Sequence, residues 1–418
     1  MLCCMVPKGV RKLADRGKGL FSGRLASYCN LCSLYALFLF ECDTLSATAR
    51  VCPWSHSVSD LSRAVRDFKG NRLMRRLRSS VLRRYRDEGL NPDDFCFAID
   101  DTANPKYGKG CFRVGRWRGS KGNYYGQKVL VVSMVDIKRG FAIPLSYAFI
   151  PKKESEDYRS GLELSLELLQ EIIDSGFPRL HVTADSWFDS VDLFKGLAEI
   201  GLCYSGEIKG NRLVKGNPGK FVQWQHLPEY FNCKSRIRLR CRLENQKVKK
   251  RQKKAKCGSE SVIAIRNFKK MLKIVAVYNA KNSKDAFAYY VSTDLSMTGA
   301  KLWELSRARW KIECLFFDLK QNLSFGNLPC AGQQGADLAV CMPFMIYTSL
   351  RLEPPEFWGL DQTEPIGTMV KKIREIELSR SIGLIMHGAD CSVVKRLSAR
   401  RSLQRITKKP VNKLAEVA

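Results

Sequence analysis

The sequence predicts an α/β protein with a mixed sheet, a β-rich insertion and a basic helical region at its N-terminus. Three observations predict it: the order of apolar runs between residues 91 and 209, a helical pattern of apolar residues before residue 90, and the charge. The 418 residues contain 71 Lys and Arg against 41 Asp and Glu, a formal charge of +30. A single small binding module is excluded by the length, and a chain this basic is expected to bind a polyanion.

The region 91–209 carries the main sheet. Its first three apolar runs are rich in β-branched and aromatic residues and are bounded by Gly, Asn and Pro, which predicts three strands in succession. A leucine-rich helix, a strand, a second helix and a last strand follow. The predicted elements are strands 95–99, 129–135 and 141–150, helix 161–173, strand 180–184, helix 191–200 and strand 202–208. This order is that of a ribonuclease H-like fold.

The first 90 residues form a basic helical region. Ser59 is a candidate N-cap, and apolar residues recur at helical spacing from Leu61 to Tyr85. Ten arginines and lysines, Arg78 among them, lie between these apolar positions. Such charge is ordinarily a solvated helix face, but with so few acids nearby it favours a region that contacts DNA phosphates.

The remaining chain divides into three further parts. Short strand-like runs predict a β-rich insertion over 210–298, the region 299–350 holds a long helix from Lys301 to about Leu323, and 351–418 is a basic helical tail. Within the insertion, seven of the ten residues 247–256 are basic. This run is either a solvated loop or an arm that contacts phosphates.

Composition also excludes two classes of protein. The 16 Cys are scattered without a compact framework, which argues against a secreted disulfide protein. The longest apolar run, 32–40, is far too short for a membrane span. We therefore expect a soluble cytoplasmic protein with no membrane partner.

Carboxylates follow two of the predicted strands. Asp100 and Asp101 come directly after strand 95–99, and Asp185 follows strand 180–184. The carboxyl ends of strands are the usual place for an α/β active site, although acids there are also common in turns and caps. Alternation puts Asp100 and Asp101 on opposite faces of the strand and does not say which face is the functional one. Asp189 is a candidate cap of the next helix, which leaves Asp185 for another role.

A third acid lies on the predicted helix after the insertion. At 100° per residue, Arg309, Glu313 and Lys320 fall within about 40° of one another, beside an apolar arc of the same helix. An ordinary Arg–Glu pair on a solvated helix is the alternative interpretation. Two Asp and a Glu together supply the hard oxygen ligands of Mg²⁺, and two such ions can promote in-line phosphoryl transfer. Arg309 and Lys320 then have a role beside the metals, where a DNA phosphate must bind.

At these residues the sequence resembles the DDE transposases of bacterial insertion sequences, in the subgroup with the signature Y-x2-R-x3-E-x6-K. Ile99-Asp100-Asp101-Thr102 resembles the first-acid motif, whose catalytic residue precedes Thr and so corresponds to Asp101. The segment 184–188, Ala-Asp-Ser-Trp-Phe, resembles the second motif, and Arg309, Glu313 and Lys320 match the signature spacing. The signature Tyr is replaced by Ser306.

The resemblance implies a catalytic and metal-binding triad of Asp101, Asp185 and Glu313. It implies two Mg²⁺ ions, for which Mn²⁺ can substitute, cleavage at the ends of a mobile element, and transfer of the freed 3′-hydroxyl into target DNA. The expected partners are double-stranded DNA of the terminal repeats and target and at least one further copy of the chain, in the cytoplasm at the nucleoid. The residues expected to bind phosphate are Arg309, Lys320, Ser306, Lys209, Lys249, Lys250, Arg251 and Lys253.

Two alternatives stay open at the level of sequence. A ribonuclease H-like nuclease such as a resolvase would cut DNA without joining ends. A relative without catalytic activity would only bind DNA; the presence of all three acids argues against it, and Ser306 argues for it.

Overall fold

A computed structural model gives the fold of most of the chain. It describes residues 28–40, 44–46, 48, 57–89, 91–106, 108, 110–119, 122–209, 212–215, 221–223, 237–239, 257–278, 286, 288–328, 332–354 and 359–386. The four basic insertion residues expected to bind phosphate, Lys249, Lys250, Arg251 and Lys253, lie outside these residues.

The described helices and strands make a mixed α/β protein. The helices are α1 Tyr28–Leu39, α2 Val58–Arg66, α3 Gly70–Asp87, α4 Gly161–Asp174, α5 Val191–Glu199, α6 Gly299–Ala308, α7 Trp310–Asn322, α8 Gln333–Leu352 and α9 Ile366–Met386. The strands are β1 Phe95–Pro105, β2 Gly115–Gly119, β3 Gly122–Asp136, β4 Phe141–Phe149, β5 Val182–Ala184, β6 Ser205–Glu207, β7 Leu213–Lys215, β8 Phe221–Gln223, β9 Ile237–Arg238, β10 Cys257–Ala264, β11 Met271–Tyr278 and β12 Ala288–Ser292.

The chain forms two compact units. One comprises residues 74–109 and 113–317, and the other residues 1–73, 110–112 and 318–418. The boundaries expected at residues 90, 209, 298 and 350 stay predictions.

The first unit contains the mixed sheet. Strand β3 lies between β4 and β1, antiparallel to both, and β2 pairs with the first part of β3. Strand β5 is parallel to β1, and an isolated parallel bridge from Val182 to Tyr204 leads on to β6. The main strands therefore lie in the order β4, β3, β1, β5, β6. All residues from Val129 to Val135 are buried, because β3 is covered on both faces, and this explains its nearly continuous apolar run.

Helices α4 and α5 agree with the sequence pattern. Ser160 caps α4 in a capping box with Glu163, and Leu168, Leu169 and Ile172 face the core. Helix α4 packs against β3 and β4. The predicted helix between the first and second acids of the sequence is thus present with its apolar face buried.

Strand β1 is longer than expected. The prediction ended the strand at Ile99, but β1 continues to Pro105 because β3 keeps pairing with it as far as Gly126. Its parallel partner β5 ends sooner, opposite Ile99. The prediction that Asp100 and Asp101 follow the strand was wrong: both lie within β1, just beyond the point where β5 ends.

A second, antiparallel sheet follows in the order β6, β12, β11, β10, β9. Its strands β9 to β12 fall in the predicted insertion, where short strand-like runs indicated strands. Glu260 of β10 accepts a hydrogen bond from the backbone nitrogen of Gly299 at 2.7 Å, at the start of α6. The insertion therefore holds the helix that leads to the third acid.

Helix α3 presents one of its arginines to the core. Arg78 is 5% exposed and donates to Ser175 Oγ at 3.1 Å and to the Leu145 carbonyl at 3.3 Å. It also lies 3.5 Å from Glu171. The expectation that the arginines of this helix contact DNA was therefore wrong for Arg78, since the pattern of apolar residues cannot distinguish a buried, hydrogen-bonded arginine from a solvated one.

The second unit is helical in its described part. Helix α8 packs against α1 and α2, and Tyr35 donates to Met345 Sδ at 3.6 Å. The expected tail helix is present as α9, where Arg374 Nε donates to the Leu39 carbonyl at 2.7 Å. Ser57, and not Ser59, caps α2.

Among the described helices, none has both the length and the apolar character needed to cross a bilayer.

Candidate active site

Two of the acids follow the last paired residues of two parallel strands. Strands β1 and β5 pair Phe97 with Val182 and Ile99 with Ala184. Asp100 and Asp185 come directly after that last pair, and both charges act on Arg309, so the two carboxylates lie at the same edge of the sheet.

Asp100 faces the helix that carries the third acid. Arg309 Nη1 lies 3.7 Å from Asp100 Oδ2, and Arg309 Nη2 lies 2.7 Å from Glu313 Oε1. Burial raises the pKa of Asp100 to about 7, even though the Arg309 charge acts in the opposite direction; the neighbouring Asp101 and Glu313 raise it further. The site thus holds a carboxyl group that ionises with difficulty.

Arg309 sits at a break in the helix. The single predicted helix from Lys301 to about Leu323 is two helices, α6 and α7, and Arg309 is the C-cap of the first. The Arg309–Glu313 pair was one of the two alternatives considered from sequence. The structure contains this pair, but it does not lie on a solvated helix face. The Arg309 side chain is only 18% exposed and also contacts Asp100.

The Arg309 guanidinium neutralises several acids at once. Burial lowers its pKa, but the hydrogen bond and charge of Glu313 and the charges of Asp100 and Asp185 outweigh that effect, so the pKa is raised overall. Arg309 therefore acts as the internal counter-cation of this edge of the sheet.

Asp101 points to the opposite face of β1. Its Oδ2 lies 2.9 Å from Lys128 Nζ of β3, a diagonal pair in the β1–β3 register. Neighbouring residues of a strand alternate between faces, so only one of the two aspartates can face α7. The structure brings together Asp100, Asp185, Arg309 and Glu313 and places Asp101 with Lys128.

Asp185 begins a tight turn after β5. Its Oδ1 accepts hydrogen bonds from the backbone nitrogen of Ser186 at 2.5 Å and from Ser186 Oγ at 3.3 Å. Its carbonyl accepts from the Phe188 nitrogen at 2.9 Å. The turn fixes the Asp185 carboxylate at the end of the strand.

Asp189 does not cap the next helix, as the sequence suggested, because Ser190 takes that role. Asp189 is fully buried and accepts from the backbone nitrogen of Lys209 at 2.9 Å and from Arg212 Nε at 3.2 Å. Burial raises the pKa of Asp189, and these two donors offset part of that rise. Asp189 thereby ties the segment after β6 to the loop that carries Asp185.

The other predicted phosphate ligands have defined surroundings. Lys209 Nζ donates to the Trp187 carbonyl at 3.0 Å, and Ser306 Oγ donates to the Leu302 carbonyl at 2.8 Å. Lys320 is half-buried on α7, and burial lowers its pKa. Their contacts with phosphate stay predictions.

Sequence reasoning missed Glu207. Val182 and Tyr204 form a parallel bridge, and Asp185 and Glu207 each lie three residues after the bridge. The parallel direction of the two segments therefore brings Asp185 close to Glu207, at the end of β6. Partial burial and the charge of Asp185 raise the pKa of Glu207. The last strand was predicted to run to Ile208, but only the observed register could align Glu207 with the other acids.

The acids fit a divalent metal in their chemistry, since carboxylate oxygens are the ligands that Mg²⁺ prefers. Their positions do not form a metal site: within the described ranges, no three acidic, His or Cys side chains are placed so as to hold a metal ion. Arg309 pairs with Asp100 and Glu313 instead. The metal-binding role predicted for Asp101, Asp185 and Glu313 stays a prediction.

Comparison with known proteins gives one family. Residues 93–349 match the family described as the transposase DDE domain. The comparison with curated proteins found no match. The cryo-EM structure of the piggyBac transposase synaptic complex with hairpin DNA is similar over 96% of this chain and 82% of that chain, at 13% identity and a TM-score of 0.41. At that identity and TM-score, nothing about fold or activity follows from the likeness.

Proposed function

The chain belongs to the transposase DDE family, since the match covers more than half of its length, and from this premise we propose how it acts on DNA. It cleaves DNA at the ends of a mobile element in a reaction that depends on a divalent metal, and it joins the freed 3′-hydroxyl to target DNA. The strand order β4, β3, β1, β5, β6 supports a ribonuclease H-like catalytic domain.

One observation carries the proposal: acids on two adjacent parallel strands meet an Arg–Glu pair on a helix. Asp100 and Asp185 each come directly after the last parallel pair, Ile99 with Ala184, and Arg309 connects Asp100 with Glu313. The carboxylates of Asp100, Asp185 and Glu313 would supply the oxygen ligands for Mg²⁺ or Mn²⁺. A metal held there would supply activation of the attacking hydroxyl and stabilisation of the leaving oxygen.

The arrangement favours Asp100 over Asp101 as the first acid. Asp100 lies on the face of Arg309 and Glu313, whereas Asp101 pairs with Lys128 on the other face. Asp101 was the choice suggested by the position before Thr102. Both aspartates follow the apolar segment 95–99, so the sequence alone does not choose between them. Substituting Asp100 and Asp101 one at a time shows which of the two is the first catalytic acid.

Arg309 has two roles in this proposal. In the free protein it neutralises Asp100 and Glu313, and on binding DNA its guanidinium takes a phosphate oxygen, for which its planar fork is suited. Lys209, Lys320 and Ser306 are the further phosphate contacts proposed among the described residues. The active form contains two or more copies of the chain, as cleavage at paired ends requires.

A cleavage assay on DNA that flanks the gene tests the proposal. We expect Mg²⁺-dependent nicking by the wild-type protein and by Asp101→Asn, and none by Asp100→Asn, Asp185→Asn or Glu313→Gln. Retained nicking by Asp100→Asn together with its loss in Asp101→Asn would restore Asp101 as the catalytic acid. Retained nicking by Asp185→Asn would refute the proposed site.

A further inference from the structure

Arg309 lies between two of the acids that are proposed to hold a metal. Its Nη1 lies 3.7 Å from Asp100 Oδ2, and its Nη2 lies 2.7 Å from Glu313 Oε1. Two nitrogens of one planar group thus contact acids on two different elements, a strand and a helix. We call these two contacts the arginine clamp.

The arginine clamp and a metal ion exclude each other. Mg²⁺ binds carboxylate oxygens at about 2.0–2.1 Å and demands near-ideal octahedral geometry. An ion that used the same Asp100 and Glu313 oxygens would have to lie in the place of the guanidinium, and two cations in contact there would repel each other. These oxygens can therefore pair with Arg309 or bind a metal, but not both.

The fold holds the Arg309 side chain in the clamp. Arg309 lies between Leu305 and Ile312, both of which are fully buried. Its backbone nitrogen donates to the Leu305 carbonyl at 3.3 Å, and its carbonyl accepts from the Ile312 nitrogen at 3.0 Å. Ion pairs between exposed side chains contribute little, because two long side chains must be ordered to form them. The clamp is stronger than such a pair, since its arginine is already held by buried neighbours.

The acids at this edge of the sheet require a cation. Burial raises the pKa of Asp100 and of Glu207, and the Arg309 charge acts against that rise in both. With Arg309 displaced, the carboxylates would repel one another unless another cation took its place. A divalent metal supplies that charge, so metal binding favours the displacement of Arg309.

A DNA phosphate is the ligand that opens the clamp. The guanidinium fork suits phosphate oxygens as well as it suits carboxylates. A phosphate that binds Arg309 competes with Asp100 and Glu313 for the same nitrogens. An apolar protein surface offers Arg309 no acceptor, so charge favours the phosphate.

We propose that the arginine clamp keeps a divalent metal from Asp100 and Glu313 until a DNA phosphate binds Arg309, so that metal and DNA bind cooperatively. This inference rests on the proposed function, because it needs both ligands at the same acids. Coupling between two ligands is reciprocal, so the factor by which DNA tightens metal binding is the factor by which the metal tightens DNA binding. The clamp thereby restricts the metal-loaded site to the DNA-bound chain.

The metal affinity of the full chain without DNA tests the clamp and needs no cleavage assay. Free Mn²⁺ is measured by electron paramagnetic resonance at pH 8 and pH 9, above the Asp100 pKa of about 7. We expect Arg309→Gln to bind Mn²⁺ roughly 5- to 150-fold more tightly than wild type, the usual range of such couplings. Arg309→Lys keeps the charge but has one terminal nitrogen, so it cannot contact both acids. Its Mn²⁺ affinity should lie between those of wild type and Arg309→Gln.

Arg307→Gln is the matched control, because it removes the same charge from an exposed residue that lies over the Trp303 ring. Its Mn²⁺ affinity should differ from that of wild type by less than about twofold, since salt screens the charges of exposed residues. Adding Glu313→Gln to Arg309→Gln should abolish the gain in Mn²⁺ affinity, because the ion then lacks one of its proposed ligands.

Binding of a labelled duplex gives the reciprocal measurement. Its affinity is compared by fluorescence anisotropy in Ca²⁺, which also takes carboxylate ligands, and in EDTA at equal ionic strength. We expect Ca²⁺ to increase the duplex affinity more for wild type than for Arg309→Gln, since only wild type has a clamp to open. An effect of equal size in both would overturn the coupling.

Three results of the Mn²⁺ titrations would overturn the clamp while leaving the proposed site intact: equal affinity of wild type and Arg309→Gln, an equal gain in Arg307→Gln, or Arg309→Lys indistinguishable from wild type. A gain that persists in the double variant would place the ion elsewhere and would also overturn the clamp. Failure of wild type and of every variant to bind a metal, with and without DNA, would refute the proposed function together with the clamp.

Discussion

Replacing Asp100 with Asn should stabilise the protein, and the gain should grow with pH. The pKa of Asp100 is raised from an ordinary value of 3.8 to about 7, with burial as the largest cause. Below pH 4 the carboxyl is protonated in both the folded and the unfolded chain, so it does not affect stability. Between pH 4 and 7 the unfolded chain releases this proton first, and the folded state loses stability as the pH rises. Above pH 7 the full penalty is present.

The magnitude follows from the same two values. Each pKa unit corresponds to ~1.4 kcal/mol, so the penalty removed by Asp100→Asn is on the order of 1 to 2 kcal/mol at pH 5 and about 4 kcal/mol at pH 8. The variant loses only the ion pair of Asp100 with Arg309, whose atoms are 3.7 Å apart, and Arg309 keeps its pair with Glu313. The same variant should be inactive in cleavage. Stability and activity are therefore expected to change in opposite directions at this residue.

Urea denaturation at pH 5 and pH 8 measures the effect. Asp101→Asn is the matched control, because it removes the neighbouring carboxylate and its pair with Lys128. For this partly exposed pair we expect a loss of no more than about 1 kcal/mol. At pH 8 Asp101→Asn also relieves part of the Asp100 penalty, because the Asp101 charge raises the Asp100 pKa, so its net effect there stays well below the gain of Asp100→Asn. A lower free energy of unfolding for Asp100→Asn at pH 8, or a gain that is the same at pH 5 and pH 8, would refute the electrostatic explanation of the site.

Three further predictions concern anchoring, catalysis and DNA contact. Asp189→Ala should lower the free energy of unfolding by about 2 to 4 kcal/mol, because it removes the buried carboxylate that accepts from Arg212 Nε and from the Lys209 backbone nitrogen; a decrease below about 0.5 kcal/mol in urea denaturation would contradict this role. Asp185→Ala should abolish cleavage but leave DNA affinity equal or higher, since it removes a negative charge near the phosphates; a folded variant that no longer binds DNA in a filter assay would contradict the assignment. Neutralising the basic insertion residues should flatten the dependence of log affinity on log salt by about 0.9 for each phosphate that they neutralise in the wild-type complex, and an unchanged slope would show that they do not bind DNA; the residues to change are Lys249, Lys250, Lys253 and Lys254.

Much of the fold could be predicted from residue patterns. The apolar run 129–135 and the leucines after Gly161 indicated a buried strand and a buried helix, both of which are present as β3 and α4. These elements are determined by side chains that lie close together in sequence. The length of β1 depends instead on pairing with β3, so the polar stretch from Thr102 to Pro105 carried no local signal for a strand.

The site could be predicted only in part, because alternation gives two faces without saying which one faces α7. The candidates Asp185, Glu313 and Arg309 were found from the sequence, and the pair between the last two is present. The choice between Asp100 and Asp101 depends on tertiary packing, as does the alignment of Glu207 with Asp185. The break at Arg309 could not be predicted either, since residues 300–322 contain neither Gly nor Pro.

Joining of DNA ends tests the central claim most directly. Labelled DNA that flanks the gene is incubated with the protein, a second unlabelled DNA, and either Mg²⁺ or EDTA, with Asp185→Ala alongside. We expect nicks at discrete flanking positions and joint molecules between the two DNAs, both absent with EDTA and in the variant. Nicks without joint molecules would indicate a nuclease that does not transfer strands. Tight binding with no nicks under any divalent metal would contradict the proposed catalytic activity.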